Sequence, residues 1–297
     1  MSVRRSRVAY AFIAPWAVGF VFLTLGPILA TLFLSLTDYD ALPGAETSFI
    51  GLDNYRQAFS EGTPGTALLN TGFYALLYVP LSVVIGLSMA LLLRRAGRAT
   101  GLLRTVIYLP VVTPPVATGI LFLLLLNGQE GLINAVLGWL HLPTPFWTTD
   151  PAWIKPGIVI MSLWSVGSVA IILFAALGDV PQTLLDAAQI DGAGPWSRLR
   201  HVILPMISPA LFFVVITNTI ASQQLFSEVY TMYFGAQTTN PPEAALFYVV
   251  HVFEEAFTFL HMGYASALSW LLFLVIAVVT AVQLAMSRKL VFYRGDA

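Results

Sequence analysis

Cysteine is absent from the 297-residue chain. That removes disulfide scaffolds, thiolate metal sites and a cysteine nucleophile together. Charge is nearly as scarce: Asp, Glu, Lys and Arg make up 10% of the residues, against about 25% in a soluble domain. So few charges cannot cover a water-facing surface, which excludes a soluble globular enzyme. An excess of either sign is also missing. With 14 basic and 15 acidic residues, the net charge of −1 argues against a nucleic-acid-binding surface. The four histidines (141, 201, 251 and 261) show no metal-ligand spacing. No acid is matched by a companion general acid or base at a defined spacing. No catalytic residue, metal site or cofactor is therefore expected.

What is abundant is apolar: 58% of the residues. A bilayer core needs roughly 20 apolar residues per helix, and six segments qualify, at about 8–36, 68–93, 105–126, 156–177, 208–230 and 266–286. The apolar runs are continuous, whereas the strands of a membrane barrel alternate polar and apolar residues. The expectation is an all-α polytopic membrane bundle of six transmembrane helices, forming a single domain over 1–297. The basic start (Arg4, Arg5, Arg7) invites a signal-peptide reading. The apolar run that follows exceeds the 7–15 residues of a signal segment, so a retained first helix is expected.

Sorted by loop, the small net charge hides an asymmetry. Arg4, Arg5, Arg7, Arg94, Arg95, Arg98, Arg104, Arg198, Arg200, Arg288, Lys289 and Arg294 fall on one side; only Arg56 and Lys155 fall on the other. By the positive-inside rule the first set is cytoplasmic. Both termini and the loops 94–104 and 178–207 follow it, in a multi-pass protein of a bacterial or archaeal cytoplasmic membrane. Pro15, Gly26, Pro27, Pro80, Gly86, Pro110, Pro114 and Pro115 interrupt the first three spans. Proline removes a backbone donor and kinks a helix, so the bundle is read either as kinked or as diverging around a path.

The loop 178–207 parses as two short helices joined at Gly192. Asp179 is expected to cap the first. Val180, Leu184, Ala187 and Ala188 share one face; Gln182, Asp186 and Gln189 share the other. Gly194-Pro195 restarts a helix with proline at its first position, and Trp196 with Arg198 and Arg200 suits a headgroup region. The acidic face suits a cytoplasmic partner better than anionic lipid. In the fifth span Asn218, Gln223, Gln224, Ser227 and Glu228 are polar groups at membrane depth, with Phe226 and Tyr230 adjacent. Intramembrane polar groups of this kind mark substrate paths or interhelical contacts.

The order Asp186-Ala187-Ala188, Asp191-Gly192-Ala193, Leu199 and Leu204-Pro205 resembles the EAA loop of permease subunits in binding-protein-dependent ABC importers. Asp186 stands where glutamate is usual, and Leu199 where phenylalanine is common. Ala14-Pro15-Trp16, Gly26-Pro27, the segment 49–55, Tyr108-Leu109-Pro110, Gly131 to Asn134 and the segment 262–267 extend the resemblance along the chain, to carbohydrate-uptake permeases of the maltose and glycerol-phosphate type. The resemblance implies several partners: a second homologous permease in a heterodimer, two cytoplasmic ATP-binding subunits, and an extracytoplasmic sugar-binding protein. It implies that Asp186, Ala187, Ala188, Asp191, Gly192, Ala193 and Leu199 couple to the ATPase. It also implies that Ser165, Val169, Gln223, Gln224 and Ser227 line the sugar path. The chain has no G-x-x-x-x-G-K-[ST] phosphate loop of its own. Two alternatives are a permease for glycerol phosphate or another small solute, and an ATP-independent secondary transporter. The first would want a buried Arg or Lys on the path. The second would show inverted repeats.

Overall fold

In the computed structural model, residues 12–44, 46–235 and 241–291 are described. The expected basic start and Arg294 lie outside the described residues, as do the side chains of Arg288 and Lys289. The described chain is helical throughout its named elements, apart from one isolated antiparallel bridge between Thr37 and Phe49. Four helices are long and apolar enough to cross a membrane: α1 (Phe12–Leu34), α3 (Gly62–Arg95), the polar-ended segment Ser208–Tyr233, and α14 (Met262–Leu290), whose span closes at Ser287. A short α2 (Asp53–Ser60) separates the first two. Two further spans are bent pairs, and counting each pair once makes six.

Proline chemistry decides the first bend. The helix α4 (Thr100–Tyr108) tightens into a 3₁₀ turn at Leu109–Val112 and then stops. Thr113 and Pro114, each followed by a proline, adopt ψ of 129° and 139°, because a following proline ring bars the α region. The chain restarts as α5 (Pro115–Leu125) after a 95° turn. The third span is thus broken at the very prolines that interrupt its sequence. Pro80 behaves differently: it lies inside α3 without breaking it.

After α6 (Leu132–Trp139), the fourth span begins earlier than the apolar run suggests. Asp150 Oδ1 accepts from Ala152 N at 3.0 Å, and Pro151 fills the first helical position of α7 (Pro151–Leu163). A 51° bend follows, then α8 (Gly167–Gly178). Gly167 sits at that bend because a Cβ there would overlap the Ile107 carbonyl oxygen. No other residue type fits.

The chain falls into two compact units, 1–65 with 251–275, and 66–250 with 276–297. In the first, the link from α1 to α2 is tied down by Asn54. Its Nδ2 donates to the carbonyls of Ser35 (3.0 Å) and Thr37 (2.8 Å), while Ser35 Oγ pairs with the Tyr55 hydroxyl at 2.8 Å. None of the residues of the Val21–Leu34 stretch is buried, as suits an apolar helix surrounded by lipid or a partner. In the second unit, Tyr74, Phe122, Trp147, Ile158, Met161, Val229 and Phe247 form one apolar cluster; Val166, Val169, Leu173, Leu177, Ile207 and Val214 form another. Lipid tails are as apolar as leucine, so helix association there rests on packing and on interhelical hydrogen bonds of about 0.6 kcal/mol each. Such bonds run from the Tyr74 hydroxyl to Ser162 Oγ (2.8 Å), from Gln283 Nε2 to Thr219 Oγ1 (2.9 Å), and from Asn70 Nδ2 to the Glu243 and Leu246 carbonyls. Asn134 holds the connection into α7: its Oδ1 accepts from Trp147 Nε1 at 2.8 Å.

Candidate functional site

The loop 178–207 folds as two helices, α9 (Gln182–Ile190) and α10 (Pro195–Arg198), the latter running on through a π turn at Leu199–Ile203. Between them Gly192 adopts φ +79°. Ala193 N donates to the Ala188 carbonyl at 2.9 Å and Gly192 N to Gln189 at 3.1 Å. This pair of bonds is the Schellman closure of a helix. A Cβ on Gly192 would meet nothing within 4 Å, so the demand for glycine is purely conformational. Asp179 does not cap α9. It ends α8, and Pro181 occupies the N-cap position with no side-chain bond. On α9 it is Leu185 that turns inward (8% exposed), with Val180, whereas Leu184 is 45% and Ile190 87% exposed. Asp186 accepts from Gln182 Nε2 at 2.9 Å, and Gln189 accepts from Arg198 Nη1 at 3.1 Å. The exposed side of the loop therefore combines Leu184, Ala187 and Ile190 with the carboxylates of Asp186 and Asp191. An apolar patch rimmed by acid is a surface built to be covered.

A cavity of about 200 Å³ opens among α3, the α4–α5 break, α7 and the fifth span. That span consists of α11 (Ser208–Gln223) and α12 (Ser227–Tyr233), separated by non-helical backbone at Gln224 and Phe226. Its aromatic wall is the pair Tyr74 and Tyr78, stacked with ring centroids 5.4 Å apart. Hydroxyls supply the rest. Tyr74 donates to Ser162 Oγ, Tyr78 to Asn218 Oδ1, and Thr118, Ser162, Ser165 and Ser222 to backbone carbonyls. With each proton committed to the protein, these oxygens offer lone pairs to the cavity. Glu228 adds a carboxylate with no hydrogen bond or ion pair among the described residues, and none of the lining residues is basic. The wall is rich in acceptors.

Of the residues expected on the path, Ser165 lines this cavity. Val169 is buried in the second apolar cluster, against Gly86. Gln223 is 7% exposed with its Oε1 unpartnered. Gln224 is exposed at the helix break, and Ser227 opens α12. Tyr74, Tyr78, Ser162 and Ser222 went unnoticed in the sequence. Tyr74 and Tyr78 repeat at i, i+4 within an apolar run, the only signal that marked them.

A family model described as "Binding-protein-dependent transport system inner membrane component" matches residues 82–291. The probable ABC transporter permease protein YesP of Bacillus subtilis is 32% identical, over 99% of this chain and 95% of its own. The lactose transport system permease protein LacF of Rhizobium radiobacter is also 32% identical, over 94% of each. Among solved structures, a chain of a bacterial alginate ABC transporter, in complex with a pentasaccharide-bound periplasmic protein, superposes with a TM-score of 0.83 at 21% identity, covering 97% of this chain and 96% of that one. The broken spans, the paired helices around Gly192 and these likenesses converge: the chain belongs to the family of binding-protein-dependent transport system inner membrane components, as an ABC transporter permease.

Proposed function

We propose that the chain is the permease subunit of an importer for a neutral di- or oligosaccharide, working by alternating access and driven by separate ATP-binding subunits that dock on α9. The observation that carries the sugar assignment is the acceptor-rich cavity beside two stacked tyrosines. A sugar presents many hydroxyl donors and flat C–H faces, which match lone pairs and aromatic rings. A phosphorylated or carboxylated solute would instead meet Glu228 and lone pairs with no cation to offset them. That favours a neutral sugar over glycerol phosphate, and the lactose permease among the relatives agrees with it.

The partners follow the family pattern: an extracytoplasmic binding protein delivers the solute, and a second permease completes the path. Coupling uses the segment 178–207. Closure of the ATPases moves α9 as a rigid piece, since its C-terminus is locked by the Gly192 closure, and biases the helices between two packed states. Asp186, Ala187, Ala188, Asp191, Gly192, Ala193 and Leu199 form or support that contact. The orientation is cytoplasmic for both termini and for this segment.

Transport of a neutral disaccharide and of a sugar phosphate, each measured in vesicles carrying the full complex, tests the reading. The expected result is uptake of the neutral sugar alone, lost on Tyr78→Ala while the complex still assembles. Preferential uptake of the phosphate, or full activity of Tyr78→Ala, overturns it.

A further inference from the structure

Beside the coupling loop, and separate from the acceptor-lined cavity, lies a second cavity of about 520 Å³. One wall is the last two turns of α3: Ser88, Leu91, Leu92 and Arg95. The other is Pro195, Trp196, Leu199 and Ile203 of α10 and its π turn. The lining is apolar except for Ser88, whose hydroxyl donates to the Val84 carbonyl, and Arg95 at the end of α3. Leu92 is 65% and Trp196 71% exposed, so the groove opens outward.

Length places this groove. At 1.5 Å per residue the 34-residue α3 is far longer than the roughly 30 Å hydrocarbon core. Its final turns, closing on Arg94 and Arg95, therefore reach the interfacial zone on the basic side. Tryptophan and arginine gather at that depth, ring in the hydrocarbon and charge at the phosphate. Arg200, in the π turn that follows α10, is exposed. An apolar slot topped by a cation is complementary to one occupant above others.

We propose that this groove binds an anionic phospholipid of the adjacent leaflet, its acyl chain along Leu91, Leu92, Leu199 and Ile203 and its phosphate on Arg95. Since Leu199 and Trp196 belong to the unit that carries α9, occupancy would tie coupling to the anionic lipid content of the membrane. That consequence rests on the proposed coupling role; the binding itself does not.

The test uses the full complex in phosphatidylcholine vesicles, titrated with phosphatidylglycerol or phosphatidylcholine carrying brominated acyl chains. Trp196 emission is isolated as the difference between the native protein and Trp196→Phe. The expected result is quenching by brominated phosphatidylglycerol at about fivefold lower mole fraction than by the zwitterionic lipid, the equivalent of about 1 kcal/mol for one arginine at an anionic surface. Arg95→Gln should remove that preference and Arg95→Lys should retain most of it. Equal quenching by both lipids, or a preference unaffected by Arg95→Gln, overturns the headgroup assignment. Absence of Trp196 quenching by either lipid overturns the proposal outright and shows that a protein surface covers the groove.

Discussion

At the scale of single residues, the demand at Gly192 is conformational. Its φ of +79° costs a Cβ-bearing residue about 1–2 kcal/mol, and the space around it is open. Substitutions should therefore rank by conformational tolerance rather than by size. Gly192→Asn should retain most of the transport-coupled ATP hydrolysis, Gly192→Ala less, and Gly192→Val almost none, with membrane insertion unchanged in all three. Coupled ATPase rates of the reconstituted complex check the order; an order that follows side-chain volume would contradict it. In the cavity, Tyr78→Phe removes one acceptor and should weaken sugar transport by about fivefold, near the 1 kcal/mol of a single hydrogen bond. Tyr78→Ala also removes the stacking face and should cost more. A concentration series of sugar uptake separates the two.

At the scale of elements, the break between α4 and α5 is a consequence of Pro114 and Pro115. Replacing both with alanine frees Thr113 and residue 114 to enter the α region. The span should straighten, the cavity wall formed by Thr113 and Pro115 should move, and sugar uptake should fall at least tenfold; cysteine cross-linking distances across the break report the change. A second element-level device lies in the segment following α13 (Tyr248–Phe253), whose π turn spans Glu254–Thr258. Glu255 is 14% exposed and bonds His261 Nδ1 at 3.0 Å; His251 Nδ1 stands 4.0 Å from its other oxygen. Burial pushes the His251 pKa down, with Glu255 and then Glu61 opposing in part. The unfolded segment thus takes up a proton first as pH falls through 6.5, and the folded segment loses stability in that range. Glu254 has the opposite sign: burial and Glu255 raise its pKa above 4.5, so its contribution fades as pH rises through that value. The thermal midpoint of the complex should therefore drop between neutral and mildly acidic pH, and His251→Asn should flatten that drop.

At the scale of the whole molecule, the charge asymmetry predicts the proposed orientation, and the absence of cysteine makes it directly measurable. Arg98→Cys and Glu130→Cys each introduce a single thiol at an exposed position. A membrane-impermeant maleimide should label position 130 from outside intact cells and position 98 only after the membrane is opened. The reverse pattern would invert the assigned topology.

How far the sequence carried depends on whether a signal is local. Apolar run length, proline spacing and the basic bias are properties of neighbouring residues in a chain that must satisfy its own backbone in lipid. They determined the helical class, the break at Pro114-Pro115 and the turn at Gly192. Facing is not local. Leu185 rather than Leu184 turns inward on α9, and Asp179 ends a helix rather than starting one, because neighbouring elements set the rotation of short helices whose own periodicity is weak. The cavity is the clearest case. Its polar groups come from four separate stretches of chain, and residues such as Tyr74 and Ser162 look like unremarkable members of apolar runs. Only tertiary packing brought their oxygens to one wall and fixed where each hydroxyl spends its proton. It is on that arrangement, not on the residue list, that the proposal of a neutral sugar over an anion rests.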